Sequence, residues 1–186
     1  MKPNVLGIIG GILAFISIVL PWWTMTISSG VMGITYSSDL SLYPYQAKAT
    51  AMGVSMIVDM NLWYGWAALA LVIVGGVLGI VGSLLQNGKA MLIGAGVLAL
   101  LSMIVFAAGL QSELSKAPIN TGYPQVGLFS NGSSSVAGLT SINYTTYLSF
   151  GFWITLVAAI IMLAASRRKN APTPPPPSPP LSPPPS

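Results

Sequence analysis

Four stretches of this 186-residue sequence, about 5–23, 62–85, 90–110 and 147–166, run without a single charged residue. Crossing the hydrocarbon core of a bilayer takes about 20 mostly apolar residues in a helix, because every backbone polar group must be satisfied within the segment. Each stretch therefore predicts a membrane-spanning helix. Composition agrees: 5% of the chain is charged and 53% hydrophobic, whereas soluble domains carry about 25% charged residues. The expected fold is all-α and transmembrane, a four-helix bundle over residues 1–169. Its two long outer loops, 24–61 and 111–146, are expected to form a small β-rich cap. The first apolar run reaches Leu20, longer than the core of a signal peptide, and no Ala-x-Ala site follows, so it is expected to be a retained span.

Only Gln86, Asn87, Gly88 and Lys89 separate the second and third stretches, which predicts a tight antiparallel helical hairpin, with Gly88 suited to a left-handed helix end. Short-loop basic charge orients the chain. Lys2, Lys89, Arg167, Arg168 and Lys169 fall on one side and Lys48 and Lys116 on the other, so both termini are expected in the cytoplasm of a multi-pass cell-membrane protein. All three acids, Asp39, Asp59 and Glu113, fall outside. The tryptophans Trp22, Trp23, Trp63, Trp66 and Trp153 cluster at the outer boundary with Tyr64, Tyr147, Phe150 and Phe152, as an interfacial aromatic belt does. Two N-glycosylation tripeptides, Asn131-Gly132-Ser133 and Asn143-Tyr144-Thr145, also fall outside. Asn143 stands close to the fourth span and is the weaker acceptor of the two.

The halves of the chain resemble each other. The segment 11–19 matches 96–104 at Gly, Leu, Ala and Ser with a constant offset of 85, and Tyr64-Gly65-Trp66 matches Phe150-Gly151-Phe152 at offset 86. Either the chain duplicates one unit (1–85 and 90–169), or helices drawn from few residue types align by accident. Duplication places Ser17 and Ser102 at equivalent, inward-facing positions. Small residues at spacing four, Gly7 with Gly11, Gly75 with Gly79, and Gly151 leading the fourth span, mark close helix packing, within the monomer or across copies.

In the first outer loop, Thr24 to Ile27 and Val31 to Tyr36 alternate like strands around a turn at Ser28-Ser29-Gly30, and 46–58 suits a short helix or a further strand. In the second, 126–130 precedes Asn131-Gly132, a two-residue turn signal that places the tripeptide at an exposed tip. After Lys169 the composition changes abruptly to ten prolines between Pro172 and Ser186, a disordered polyproline II tail over 170–186. Lys169, Pro172 and Pro175 fit the spacing of an SH3-type ligand, so the tail is either a docking segment for a cytoplasmic polyproline-binding partner or a plain spacer.

Chemistry is sparse. The sequence has no His and no Cys, which removes imidazole bases, thiolate nucleophiles and the usual ligands for metals, haem and iron–sulfur clusters. The four stretches hold no ionisable group on which proton coupling or intramembrane proteolysis depends. Asp59, ahead of Trp63 and Trp66, suits a cation-attracting vestibule or, together with Asn61, the cap of the second span. Ser115 and Lys116 are adjacent, but adjacency is not catalytic geometry. No phosphate loop, dinucleotide fingerprint or nucleic-acid motif is present, so no catalytic, cofactor or metal residue is expected and the protein is expected not to be an enzyme.

The segment Gly10-Gly11-Ile12-Leu13-Ala14, continuing through Ser17 to Leu20-Pro21-Trp22-Trp23, resembles the opening of small four-span membrane proteins of archaea. The layout, with a β-forming first loop and a Pro-Trp element closing the first span, is similar to claudin-type tetraspans. Claudins carry Gly-Leu-Trp followed by two cysteines in that loop; here Asn61-Leu62-Trp63 abuts the second span and cysteine is absent. With chemistry sparse, small-residue faces on the helices and a low-charge outer cap, the expected role is a structural or accessory subunit of a membrane assembly, or a claudin-like surface or adhesion component, that meets the bilayer and other membrane proteins or copies of itself. The alternative is a passive pore or small transporter for an uncharged or weakly polar solute, formed by an oligomer, in which bulky substitution of Gly75 or Gly79 would abolish flux.

Overall fold

A computed structural model describes residues 3–31, 34–58, 60, 62–116, 126–136 and 140–167. Lys2, Asp59, Asn61, Arg168, Lys169 and the proline tail with Pro172 and Pro175 lie outside the described residues. In chain order the elements are α1 (Val5–Ile18), β1 (Trp23–Val31), β2 (Ile34–Leu42), β3 (Ala47–Ala51), β4 (Val54–Val58), α2 (Trp63–Leu84), α3 (Lys89–Ser115), β5 (Ser130–Val136), β6 (Thr140–Leu148) and α4 (Phe150–Ser166). The strands form one antiparallel sheet in the order β4-β3-β2-β1-β6-β5.

This corrects the all-α expectation. The outer loops form a six-stranded sheet with strands of five to nine residues, a second layer of the fold and not a small cap on a bundle. It is as large as it is because the Thr, Ser and β-branched content of both loops serves one sheet: β1 pairs with β2 from its own loop and with β6 from the other.

The helices also differ from the four expected spans. Two of them, α2 and α3, are long and apolar enough to cross a membrane, while α1 and α4 are shorter apolar helices of 14 and 17 residues. At 1.5 Å per residue α1 rises only about 21 Å. Its end has a local cause. A further turn of helix would need an N–H at position 21 to bond the Ser17 carbonyl, and Pro21 has none; the Trp22 indole Nε1 takes that carbonyl instead at 2.9 Å. One residue on, Trp23 opens β1.

The helices form a ring in which α1 and α3 each pack on both α2 and α4. On α1 and along the glycine stretch of α2 the packing is inverted relative to a soluble bundle, whereas α3 buries Met103 and Phe106 and α4 buries Phe152 and Met162. On α1 the buried residues are Gly7, Gly10, Gly11, Ala14 and Ser17, while Ile9, Ile12 and Ile16 are exposed. Likewise α2 buries Gly75, Gly76 and Gly79 and exposes Ile73, Val74 and Val77. At the end away from the sheet, the Asn4 backbone N–H reaches Ser83 O and its Nδ2 reaches Ala165 O, both at 2.9 Å, tying α1 to the ends of α2 and α4. Gly88 lies there too, at the start of α3, with φ −72, so it is not left-handed. Glycine is required because a Cβ would run into the Gly82 backbone.

Candidate functional surface

The junction between helices and sheet is tied by backbone hydrogen bonds and packed aromatic rings. Trp22 N–H bonds Leu42 O at 2.8 Å, Ser149 N–H bonds Trp22 O at 2.9 Å and Gly151 N–H bonds Pro21 O at 2.9 Å, so the chain leaving α1 is held by both β2 and the head of α4. Around it, the Trp22 ring meets Phe106 edge-on at 5.1 Å and Phe152 at 6.1 Å, and Phe106 meets Tyr64 at 5.7 Å. Trp22 and Trp23 are 0% and 1% exposed. They are core residues, a correction to their place in the aromatic belt; Trp63, Trp66 and Trp153 are exposed, with Tyr147 and Phe150. Phe106 has no distinguishing signal in its sequence surroundings, being one apolar residue among many in α3.

The buried polar side chains of the helices are already occupied. Ser17 donates to Ala14 O and Ser102 to Ala99 O, each at 2.7 Å, and Thr155 donates to Gly151 O at 2.9 Å. Ser17 and Ser102 are both fully buried and make the same local bond. The small residues Gly7, Gly11, Gly75, Gly79 and Gly151 all sit at contacts inside the chain. A Cβ on Gly79 would stand 2.6 Å from Met162 Sδ, and one on Gly75 would stand 3.1 Å from Ala95 O. These two glycines seat helix against helix within the chain.

The sheet offers two unlike faces. On one, Asn131, Thr145, Thr26, Asp39, Thr50 and Ser55 make a row across all six strands, with Thr50 and Ser55 hydroxyls 3.0 Å apart. The next row runs Ser133, Asn143, Ser28 and Ser37. This face is a field of hydroxyls and amides with Asp39 as its carboxylate. The other face starts with the buried row Leu148, Trp23, Leu42 and Ala47 beside the helices, and is partly covered by the 126–128 segment. Trp23 Nε1 donates to Leu128 O at 3.2 Å and Thr146 Oγ1 to Gly127 O at 2.8 Å. Toward β4 the cover ends, leaving Val54 and Met56 exposed on this face of an uncharged edge strand, with Ile57 exposed on the polar face and Met52 in the turn before the strand.

Register corrects two turn expectations and decides the open reading of 46–58 for strands. Val31 pairs with Ile34, so the first reversal falls between them and not at Ser28-Gly30. Residues 46–58 form the β3–β4 hairpin, in which Ala51 pairs with Val54. Asn131-Gly132 lies inside β5, so the tripeptide is in mid-strand and not at a tip. Where the nine-residue hairpin β1–β2 outreaches the five-residue hairpin β3–β4, an open notch of about 340 Å³ remains, lined by Thr35, Ser37, Asp39, Thr50, Met52 and Gly53 among others.

The remaining candidates do not converge. The first residue before α2 is Leu62, with no side-chain cap bond. Lys116 pairs with Glu113 at 2.8 Å, while the Ser115 hydroxyl donates to Gln111 O at 2.9 Å. Among the described residues no group of three or more carboxylates, His or Cys is placed to hold a metal. No protein-family model matches the chain, and no curated protein matches it.

Proposed function

We propose that the chain is a non-enzymatic, multi-pass membrane protein whose four helices sit in the bilayer and whose sheet stands outside, and that it works by contact. In this reading it is a structural or accessory subunit of a membrane assembly, or a claudin-like surface or adhesion component. The observation that carries it is the inverted packing. Without a hydrophobic drive between helices in lipid, small residues go between helices and large apolar ones face outward, which is the distribution on α1 and α2. Supporting it, Trp63, Trp66 and Trp153 are exposed at the sheet end of the helices, and Lys89 and Arg167 stand at the opposite end. Counted in the sequence with Lys2, Arg168 and Lys169, against Lys48 and Lys116 on the sheet side, this basic excess favours a cytoplasmic Lys89 end. The buried hydroxyls are satisfied within their own helices, so the surface left for business is the sheet.

The test is native purification in mild detergent, with cross-linking and mass spectrometry of what travels with the protein. Recovery in a reproducible complex with other membrane proteins or with itself is the expected result. A protein that is always alone and monomeric sinks the contact reading.

A further inference from the structure

The two glycosylation tripeptides are cross-strand partners. In the β5–β6 register Asn131 lies opposite Thr145 and Ser133 opposite Asn143, so the acceptor asparagine of each tripeptide faces the hydroxyl residue of the other. All four are exposed and share the polar face. The middle residues point to the other face, where a side chain on Gly132 would run into the Tyr144 ring. Tyr144 is 6% exposed.

The two tripeptides are therefore held very differently. A glycosyltransferase must bend the acceptor segment into its own site, which means lifting it off the sheet. Among the described residues Asn131-Gly132-Ser133 lies on an edge strand paired on one side only, and its middle residue has no side chain to extract. Asn143-Tyr144-Thr145 lies on a strand paired with β1 and β5, and lifting it breaks two ladders and pulls Tyr144 out of its packing. We propose that Asn131 is the N-glycan acceptor of the folded protein and that Asn143 stays unmodified. The donor is an oligosaccharide linked to a lipid through phosphate. The bond between its anomeric carbon and the phosphate oxygen breaks, a bond to Asn131 Nδ2 forms, the lipid phosphate leaves with the electron pair, and the amide proton passes to a base. Once attached, the sugar stands over Thr145, the hydroxyl residue the second tripeptide needs, so the first modification also hinders the second.

The inference rests on the sheet facing outward, as proposed above. The test expresses the full chain in a cell with N-glycosylation machinery and maps glycopeptides by mass spectrometry, beside Asn131→Gln, Asn143→Gln and Ser133→Ala variants. Wild type and Asn143→Gln are expected to carry one glycan, at Asn131, and the other two variants none. A glycan on Asn143, on its own or beside one on Asn131, overturns the inference while leaving the orientation standing. An unmodified wild type also overturns it. Orientation is read separately, by an impermeant thiol reagent on cysteines placed at Ser37 and Asn87; labelling of Asn87→Cys alone from outside means the orientation itself has failed, and the inference with it.

Discussion

At the scale of single residues, the glycines differ in what an added Cβ would meet: backbone, side chain or open space. Gly151 belongs to the first kind: a Cβ there would stand 2.7 Å from Leu20 O and 2.9 Å from Pro21 O, backbone atoms that cannot swing away. Gly151→Ala is expected to destabilise the protein by about 1–3 kcal/mol, the usual range for overpacking a filled site. Gly94 is the matched control, a helical glycine with nothing within 4 Å of an added Cβ. Gly94→Ala is expected to be neutral or to stabilise by up to about 1 kcal/mol, since glycine inside a helix costs that much relative to alanine. Thermal unfolding of both variants in one detergent measures the contrast; equal midpoints would mean that the Pro21 contact does not hold α4 to the sheet. That such glycines seat helices was legible from their spacing. Their partners were not, because Gly11 meets α2 and Gly151 meets the Pro21 corner, contacts that only the fold brings about.

At the scale of elements, the strand segments of both outer loops were legible in their alternation and the turns were not. Ser28-Ser29-Gly30 and Asn131-Gly132 have turn chemistry, yet each lies within a strand, because the ladder with β6 runs without a break from Trp23 to Val31 and Tyr144 needs the space over Gly132. At the Met52-Gly53 turn both residues have positive φ, 52 and 79, and only the second has the residue type such a turn favours. A two-residue hairpin of this kind favours Asn-Gly, and a side chain such as methionine in the left-handed region costs about 1–2 kcal/mol. Met52→Asn is expected to raise stability by about 1 kcal/mol and to slow amide exchange in β3 and β4, read by hydrogen exchange. Faster exchange there would show that Met52 makes a contact worth more than its backbone strain. The neighbouring edge strand carries its own expectation. β4 is uncharged and exposed along most of its length, and a lysine on an open edge discourages pairing with another chain. Ile57→Lys is expected to lower the yield of cross-linked complexes severalfold at an unchanged unfolding midpoint; an unchanged yield would place the contact surface elsewhere on the sheet.

At the scale of the whole molecule, one end of the helix ring carries the sheet and Glu113, and the other carries Asn4, the 86–88 turn, Lys89 and Arg167. The slab between them is uncharged, but its depth differs from helix to helix. At 1.5 Å per residue α2 rises about 33 Å and α4 about 25 Å, against a hydrocarbon core of about 30 Å. The sequence pattern alone hid this difference, because the apolar run of the first stretch continues through Pro21-Trp22-Trp23 after its helix has stopped. In the proposed membrane placement, what would make the short helices compatible with a bilayer is that the chain beyond α1 is not left with free backbone groups: Trp22 N–H and O and Pro21 O are bonded to Leu42, Ser149 and Gly151. The junction does for α1 and α4 what extra turns do for α2. Because the chain has no cysteine, this arrangement can be mapped with single-cysteine variants on an otherwise unreactive background. Ser37→Cys on the sheet is expected to react with an impermeant maleimide in intact cells, Asn87→Cys only after permeabilisation, and Val97→Cys, exposed on α3, with neither treatment but with a lipid-soluble thiol reagent. Ready reaction of Val97→Cys with the water-soluble reagent in intact cells would mean that the exposed helix faces meet water, and the inverted packing would then need a protein partner and not a bilayer to cover it.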